Sequence, residues 1–155
     1  MKIVIMDLDG VICDNSHRAH LVPLADQQHL NEAWQPFVAE CHNDAPIAAG
    51  IEMLKALETV YGVAIVTSRQ EMFKELTETW LKKHTPFYKC FQNIAYRPAD
   101  NTDSPAEYKR VTLQLIRSYG HEVMFAIDDD PAIVAMYNAE GVPTFQPSTR
   151  CSSCA

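Results

Sequence analysis

Two aspartates one residue apart, Asp7 and Asp9, close the apolar run Ile3-Val-Ile-Met6 and lead into Gly10. A short apolar run bounded by glycine fits a strand buried on both faces, as in a parallel sheet. Charged carboxylates at the end of such a strand cost folding energy unless a cation or a reaction uses them. A single Asp-x-Asp-Gly is also ordinary turn chemistry, but the pattern returns. The run Val123-Met-Phe-Ala-Ile127 ends in Asp128 and Asp129, and Val63-Ala-Ile-Val66 ends in Thr67-Ser68-Arg69. In open α/β sheets ligands bind beyond the carboxyl ends of the strands. Three strands that each end in reactive groups mark an active site.

The chemistry these residues suit is phosphoryl transfer. A carboxylate nucleophile divides hydrolysis into two displacements through an aspartyl-phosphate, and Asp7 is placed to be that nucleophile. Asp9 can protonate the leaving alkoxide and then deprotonate water. Asp128, with Asp7 and a backbone carbonyl, would build an oxygen-ligand site, and hard oxygen ligands select Mg²⁺. Asp9 and Asp129 stand beside these two as further candidate metal ligands, Asp129 orienting a lysine or a metal-bound water. Thr67 offers a hydroxyl to the phosphate, and Lys109 offers compensating positive charge.

Positioning these groups requires strands with helices between them. Strands are predicted near 2–6, 63–67, 93–96, 123–127 and 142–145. Apolar residues at helical spacing fall between them: Ile51, Leu54, Leu57 and Tyr61; Phe73, Leu76 and Trp80; Tyr108, Val111, Leu115 and Tyr119; and a shorter segment over 131–140. The alternation predicts a Rossmann-like α/β three-layer sandwich with a central parallel sheet of about five strands. Residues 14–48 are too long for an ordinary βα loop. They are expected to form a small cap over the site, with a helix over 26–41 presenting Leu30, Trp34, Phe37 and Val38.

The 155 residues are expected to form one domain, with 147–155 as a tail. A hydrophobic content of 47% is ordinary for a globular protein, and no apolar stretch approaches the roughly 20 residues of a membrane span. Five scattered cysteines do not read as a secreted disulfide framework, and because the first residues already belong to the first predicted strand no cleavable leader is expected. A reducing cytoplasm is the expected location. The spacing Cys151-Ser-Ser-Cys154 lacks a second pair for structural zinc. A net charge of −7 argues against binding along an extended duplex but not against a small phosphorylated substrate.

The set Asp7-Leu-Asp9-Gly10, Thr67, Lys109 and Asp128-Asp129 resembles the four motifs of haloacid dehalogenase-superfamily phosphatases, in their usual order. The resemblance implies Mg²⁺, an aspartyl-phosphate, a Rossmann-like sheet and a cap after strand one. A narrower resemblance is to the 3′-phosphatase domain of phage-type polynucleotide kinase/phosphatases. That domain carries an arginine after the Asp-x-Asp motif, matched by Arg18. Its Ser-Gly-Arg corresponds to Thr67-Ser68-Arg69, and a further arginine precedes its lysine, as Arg97 precedes Lys109. Ser68 stands where that family has glycine, and Pro105 and Ala106 replace acidic residues before the lysine.

The expected function is a Mg²⁺-dependent phosphomonoesterase acting on the 3′-phosphate of a nucleotide or nucleic-acid end, with Arg18, Arg69, Arg97 and Ser68 on the substrate. An isolated arginine more often forms a surface salt bridge; three near motif-bearing strand ends favour substrate contact. His17 and His20 read as cap or solvent residues, since Mg²⁺ prefers oxygen. Trp34, Phe37 and Tyr96 suit either core packing or base stacking. The alternatives are a nucleoside 5′-monophosphatase, a small-metabolite phosphatase, or a non-catalytic nucleotide-binding module.

Overall fold

In chain order, the computed structural model contains β1 (Lys2–Met6), β2 (Cys13–Asp14), α1 (Gln35–Ala39), β3 (Ala45–Pro46), α2 (Ala48–Leu57), β4 (Gly62–Gln70), α3 (Lys74–His84), β5 (Ile94–Arg97), α4 (Pro105–Ser118), β6 (Glu122–Ile127), α5 (Pro131–Ala139) and β7 (Thr144–Phe145). It describes residues 1–148; Cys151 and Cys154 lie outside the described residues. Five strands form one sheet in the order β5-β4-β1-β6-β7, and every neighbouring pair is parallel. The expected α/β architecture is therefore present, with the Asp7 strand at the centre.

Alternation along β1 divides the core. Val4 and Met6 pack with Val63, Ile65, Leu54, Trp80 and Leu81 on one face. Ile5 packs with Val66, Ala126, Tyr108, Leu113, Ile133 and Tyr137 on the other. Side chains of successive strand residues point to opposite faces, so a continuous apolar run is what a strand between two helical layers requires.

Two helices are started by local sequence. Ser104 caps α4 by accepting the Glu107 amide at 3.2 Å, and Pro105 occupies the first turn, where its missing N–H costs nothing. Asp130 caps α5 by accepting the Ala132 amide at 2.8 Å, ahead of Pro131. Lys109 thus sits about one turn into a well-defined helix. Asp128 and Asp129 sit between a strand end and a capped helix start.

The insertion after β1 differs from expectation. No helix covers 26–41: residues 25–29 form an exposed turn, Asn31–Trp34 is a 3₁₀ turn, α1 spans five residues, and Glu40–Asn43 is again 3₁₀. Pro36 accounts for the break, because a residue without an amide proton is accommodated in a first helical turn and not in a helix interior. The ends of the insertion are closed by the antiparallel pair β2–β3, Cys13 opposite Pro46 and Asp14 opposite Ala45.

Candidate active site

The ladder between β1 and β6 continues one residue past the strand, the Asp7 amide donating to the Ile127 carbonyl at 3.0 Å. The chain then turns sharply, with Ile12 and Cys13 both donating to the Leu8 carbonyl. Gly10 makes the turn possible at φ +75°. A Cβ on Gly10 would stand 2.0 Å from Asp129 Oδ2. The glycine therefore admits Asp129 to the site as well as bending the chain.

Asp7, Asp128 and Asp129 each offer a carboxylate oxygen, and these oxygens lie within 4.8 Å of one another. Lys109 Nζ is 3.1 Å from Asp7 Oδ1 and 2.6 Å from Asp128 Oδ2. Asp128 Oδ1 accepts the Asp130 amide at 3.1 Å, which fixes its other oxygen toward the lysine. Burial raises the proton affinity of Asp7 well above the ordinary carboxylate range, with Asp128 and Asp9 adding to it and Lys109 opposing. Burial, then Asp128 and Asp9, push Asp129 up to about 6. Burial works against the charge of Lys109, but Asp7 and Asp128 outweigh it and raise its proton affinity. Three crowded carboxylates against one ammonium leave negative charge uncompensated. An all-oxygen donor set with that imbalance fits a hard divalent cation such as Mg²⁺.

Asp9 turns away from this cluster. Arg69 grips it at two points, Nε to Oδ2 at 2.9 Å and Nη2 to Oδ1 at 2.8 Å, and Arg18 Nη2 also donates to Oδ1. Burial would raise its proton affinity, but Arg69 and then Arg18 hold it down to about 2. Asp9, expected among the metal ligands, has both carboxylate oxygens engaged by guanidinium groups.

Behind the arginines lies Asp44, which the sequence did not single out. Its side chain is fully buried and accepts from Arg18 Nε at 2.8 Å and Nη2 at 2.7 Å, and from Arg69 Nη2 at 2.9 Å. His17 Nε2 lies 2.9 Å from the same carboxylate. Arg18 and Arg69 are themselves only 0% and 2% exposed. Two guanidiniums and two carboxylates form a closed, charge-balanced set, so these arginines are bound to protein acids where free substrate contacts were expected. An aspartate ahead of Ala45-Pro46 reads locally as turn chemistry, and its role depends on partners far along the chain.

Arg97 differs. It is 8% exposed, no described carboxylate forms an ion pair with it, and its Nη2 donates to the Asp103 and Asn101 carbonyls. Its Nε has no hydrogen-bond partner among the described residues. Thr67 is fully buried, and its Oγ1 accepts the Arg69 amide at 3.2 Å. Thr67 and Arg69 fall within β4, which extends to Gln70, and its pairing with β5 is irregular between Val66 and Gln70.

A cavity of about 300 Å³ opens beside these groups. Asp7, Asp9, Asp129, Ser68, Arg69 and Arg97 line its polar side, and Val22, Trp34, Phe37 and Val38 of the insertion line the other. The insertion is laced to the strand ends: Gln70 Nε2 donates to the Asn31 carbonyl at 2.6 Å, and Asn31 Nδ2 to the Asn101 carbonyl at 2.6 Å.

Comparison with known proteins agrees with this arrangement. Residues 1–149 match the family described as the polynucleotide kinase PNKP phosphatase domain, of the haloacid dehalogenase type. Comparison with curated proteins gives no match. Among solved structures, chains of a Pnkp1/Rnl/Hen1 RNA repair complex are 22% identical, with TM-scores of 0.69 and 0.72 in two determinations. The match covers 94% of this chain but 42% and 45% of those, so this chain spans less than half their length. A class C acid phosphatase from Bacillus anthracis has a TM-score of 0.64 at 17% identity, over 94% of this chain and 65% of that one. A haloacid dehalogenase family enzyme from Bacteroides thetaiotaomicron, solved with magnesium and inorganic phosphate, has a TM-score of 0.60 at 14% identity, over 99% and 98% of the two chains. No helix among the described residues is long and apolar enough to cross a membrane. With Asp7 directly after its central strand and a sequence match over nearly the whole length, the chain belongs to the polynucleotide kinase phosphatase-domain family of haloacid dehalogenase-type phosphoric monoester hydrolases.

Proposed function

We propose that the protein is a Mg²⁺-dependent phosphomonoesterase that removes 3′-phosphate from nucleotides or nucleic-acid ends through an aspartyl-phosphate. The observation that carries the chemistry is the convergence of Asp7, Lys109, Asp128 and Asp129 beyond the central strand. Asp7, Asp128 and Asp129 would hold the Mg²⁺, which supplies charge neutralisation for the transferring oxygens. An Asp7 oxygen forms a bond to phosphorus as the bond from phosphorus to the leaving oxygen breaks, and Asp9 gives that oxygen its proton. Water then attacks the phosphorus, Asp9 takes a proton from it, and the bond to Asp7 breaks to release phosphate and restore the carboxylate. Lys109 neutralises charge on Asp7 throughout.

In the resting arrangement Asp9 is held ionised by two arginines, the form that accepts a proton from water. The first step needs its protonated form. A substrate that draws Arg69 onto its own oxygens loosens this clamp and returns the proton affinity of Asp9 toward that of an ordinary carboxylate. Thr67, through its bond to the Arg69 amide, positions the arginine, while Ser68 and Arg97 face the substrate in the cavity. Arg97, with no described carboxylate in ion-pair contact, suits a second anionic group such as the adjacent phosphodiester of a strand.

The RNA repair assembly containing a similar chain supports a nucleic-acid end as substrate. Free Cys13, Cys41 and Cys90 suit action in a reducing cytoplasm. The test is phosphate release across nucleoside 3′- and 5′-monophosphates, 3′- and 5′-phosphorylated oligonucleotides and sugar phosphates. Preference for 3′-phosphorylated nucleotides or strands is expected. Preference for 5′-monophosphates would replace this reading with that of a 5′-nucleotidase.

A further inference from the structure

The apolar side of the cavity has no task in phosphoryl transfer, yet it too is held in place. Trp34 is half-buried, and its indole is held at two points. Its Nε1 donates to the Gln28 carbonyl at 2.9 Å. Its ring meets that of Phe37 edge to face, with centroids 5.6 Å apart and planes at 82°. Phe37 in turn is fixed from the other direction, because the Arg18 guanidinium lies 4.0 Å from its ring centroid and Arg18 Nη1 donates to its carbonyl at 3.0 Å. Val22 and Val38 extend the apolar wall. An indole with its edge tied down and part of its surface on a cavity is a preformed stacking platform. The same cavity contains the nucleophile, so whatever stacks there belongs to the leaving group.

We propose that Trp34, buttressed by Phe37, stacks the base of a single terminal nucleoside as its phosphate is removed. This deepens the phosphomonoesterase reading and rests on it. A volume of about 300 Å³ stands at the lower limit of the roughly 300–1,000 Å³ typical of small-molecule sites, enough for one nucleoside and not for a base pair. A terminal base must therefore leave its stack to enter, and a blunt duplex end is a poor substrate. Stacking tolerates any base, because every base presents a π-face.

The test compares kcat/KM for adenosine 3′-monophosphate with that for a base-free deoxyribose 3-phosphate analogue, in the wild type and in Trp34→Ala and Trp34→Phe variants. Stacking of this kind changes affinity by about fivefold or more per base. The wild type is expected to prefer the nucleotide by at least that factor, through KM. The preference should collapse toward parity in Trp34→Ala and be largely retained in Trp34→Phe. As a binding readout, adenosine should quench the tryptophan fluorescence of the wild type but not that of Trp34→Phe, whose remaining Trp80 is buried in the core. Equal turnover of the two substrates by the wild type would overturn the subsite and leave the phosphatase intact. Loss of all phosphate release, p-nitrophenyl phosphate included, would instead overturn the phosphatase reading; adenosine quenching confined to proteins that keep Trp34 would then uphold the subsite, and its absence would overturn it.

Discussion

Arg69 and Asp9 meet fork to fork, two near-parallel N–H···O contacts of 2.9 and 2.8 Å joining residues 60 positions apart in sequence. The pair joins the end of β4 to the turn after β1, and it sets the charge state of the group assigned to proton transfer. Removing the carboxylate by Asp9→Asn should therefore separate substrates by leaving group. Turnover of an alkyl phosphate should fall by roughly 10²–10⁴-fold, while p-nitrophenyl phosphate, whose leaving group needs no proton, should lose far less. Equal losses on both would show that Asp9 acts in structure and not in proton transfer.

Asp7→Asn preserves shape while removing both the proposed nucleophile and one of three clustered carboxylates. Phosphate monoester hydrolysis is so slow without catalysis that a loss of at least ~10³-fold in kcat is expected. Stopped assays with and without excess chelator provide the companion measurement. Full activity in chelator, or in the variant, would remove the proposed mechanism.

Metal and pH should act on stability together. The carboxyl of Asp129 titrates near 6 in the fold against an ordinary 3.8, so the folded protein holds a proton that the unfolded chain releases. Between about pH 4 and 6 the native state binds more protons, and without metal its stability falls as pH rises through that window. The upward shift of Asp7 acts with the same sign. Mg²⁺ favours the ionised carboxylates and should offset the loss. Thermal melts should thus show a Mg²⁺-dependent rise in Tm that is small at pH 4 and substantial at pH 7; a rise independent of pH would contradict the cluster as the binding site.

Asp44→Ala should be among the most destabilising single changes in the molecule. Two buried guanidiniums would be left sharing Asp9 alone, and breaking a buried pair in this way costs about 3–5 kcal/mol. For a chain of this size that corresponds to a drop of roughly 10 °C in Tm. Chemical denaturation measures it directly; a change below about 1 kcal/mol would mean that water replaces Asp44 readily.

Much of this was legible in the sequence because it is local. An apolar run flanked by acids specifies both a buried strand and what stands at its end, so Asp7, Asp128 and the parallel sheet could be read directly. The helical spacing of Tyr108, Val111, Leu115 and Tyr119 marks the helix that holds Lys109, and the shorter segment over 131–140 marks the one that follows Asp129. The insertion is less legible. Leu30, Trp34, Phe37 and Val38 carry helical spacing, but Pro36 interrupts the hydrogen-bond ladder that spacing presumes. The arginines stand out beside the motifs, while their partner Asp44 does not. Asp44 is joined to Arg18 across 26 positions and to Arg69 across 25, and nothing in its neighbours signals either contact. Pairings of that kind are set by tertiary geometry.

The central place of β1 in the sheet has a kinetic consequence. One neighbour, β4, pairs Ile3 with Gly62, while the other, β6, pairs Lys2 with Glu122, more than a hundred residues away. Closing so long a loop is entropically slow and is rewarded only once both strands are in register. A refolding chain can dock β1 on β4 early, yet it has no cluster of three carboxylates until β6 arrives and brings Asp128 and Asp129 with it. Partly folded forms should therefore be catalytically silent, and activity should return in step with the slowest refolding phase.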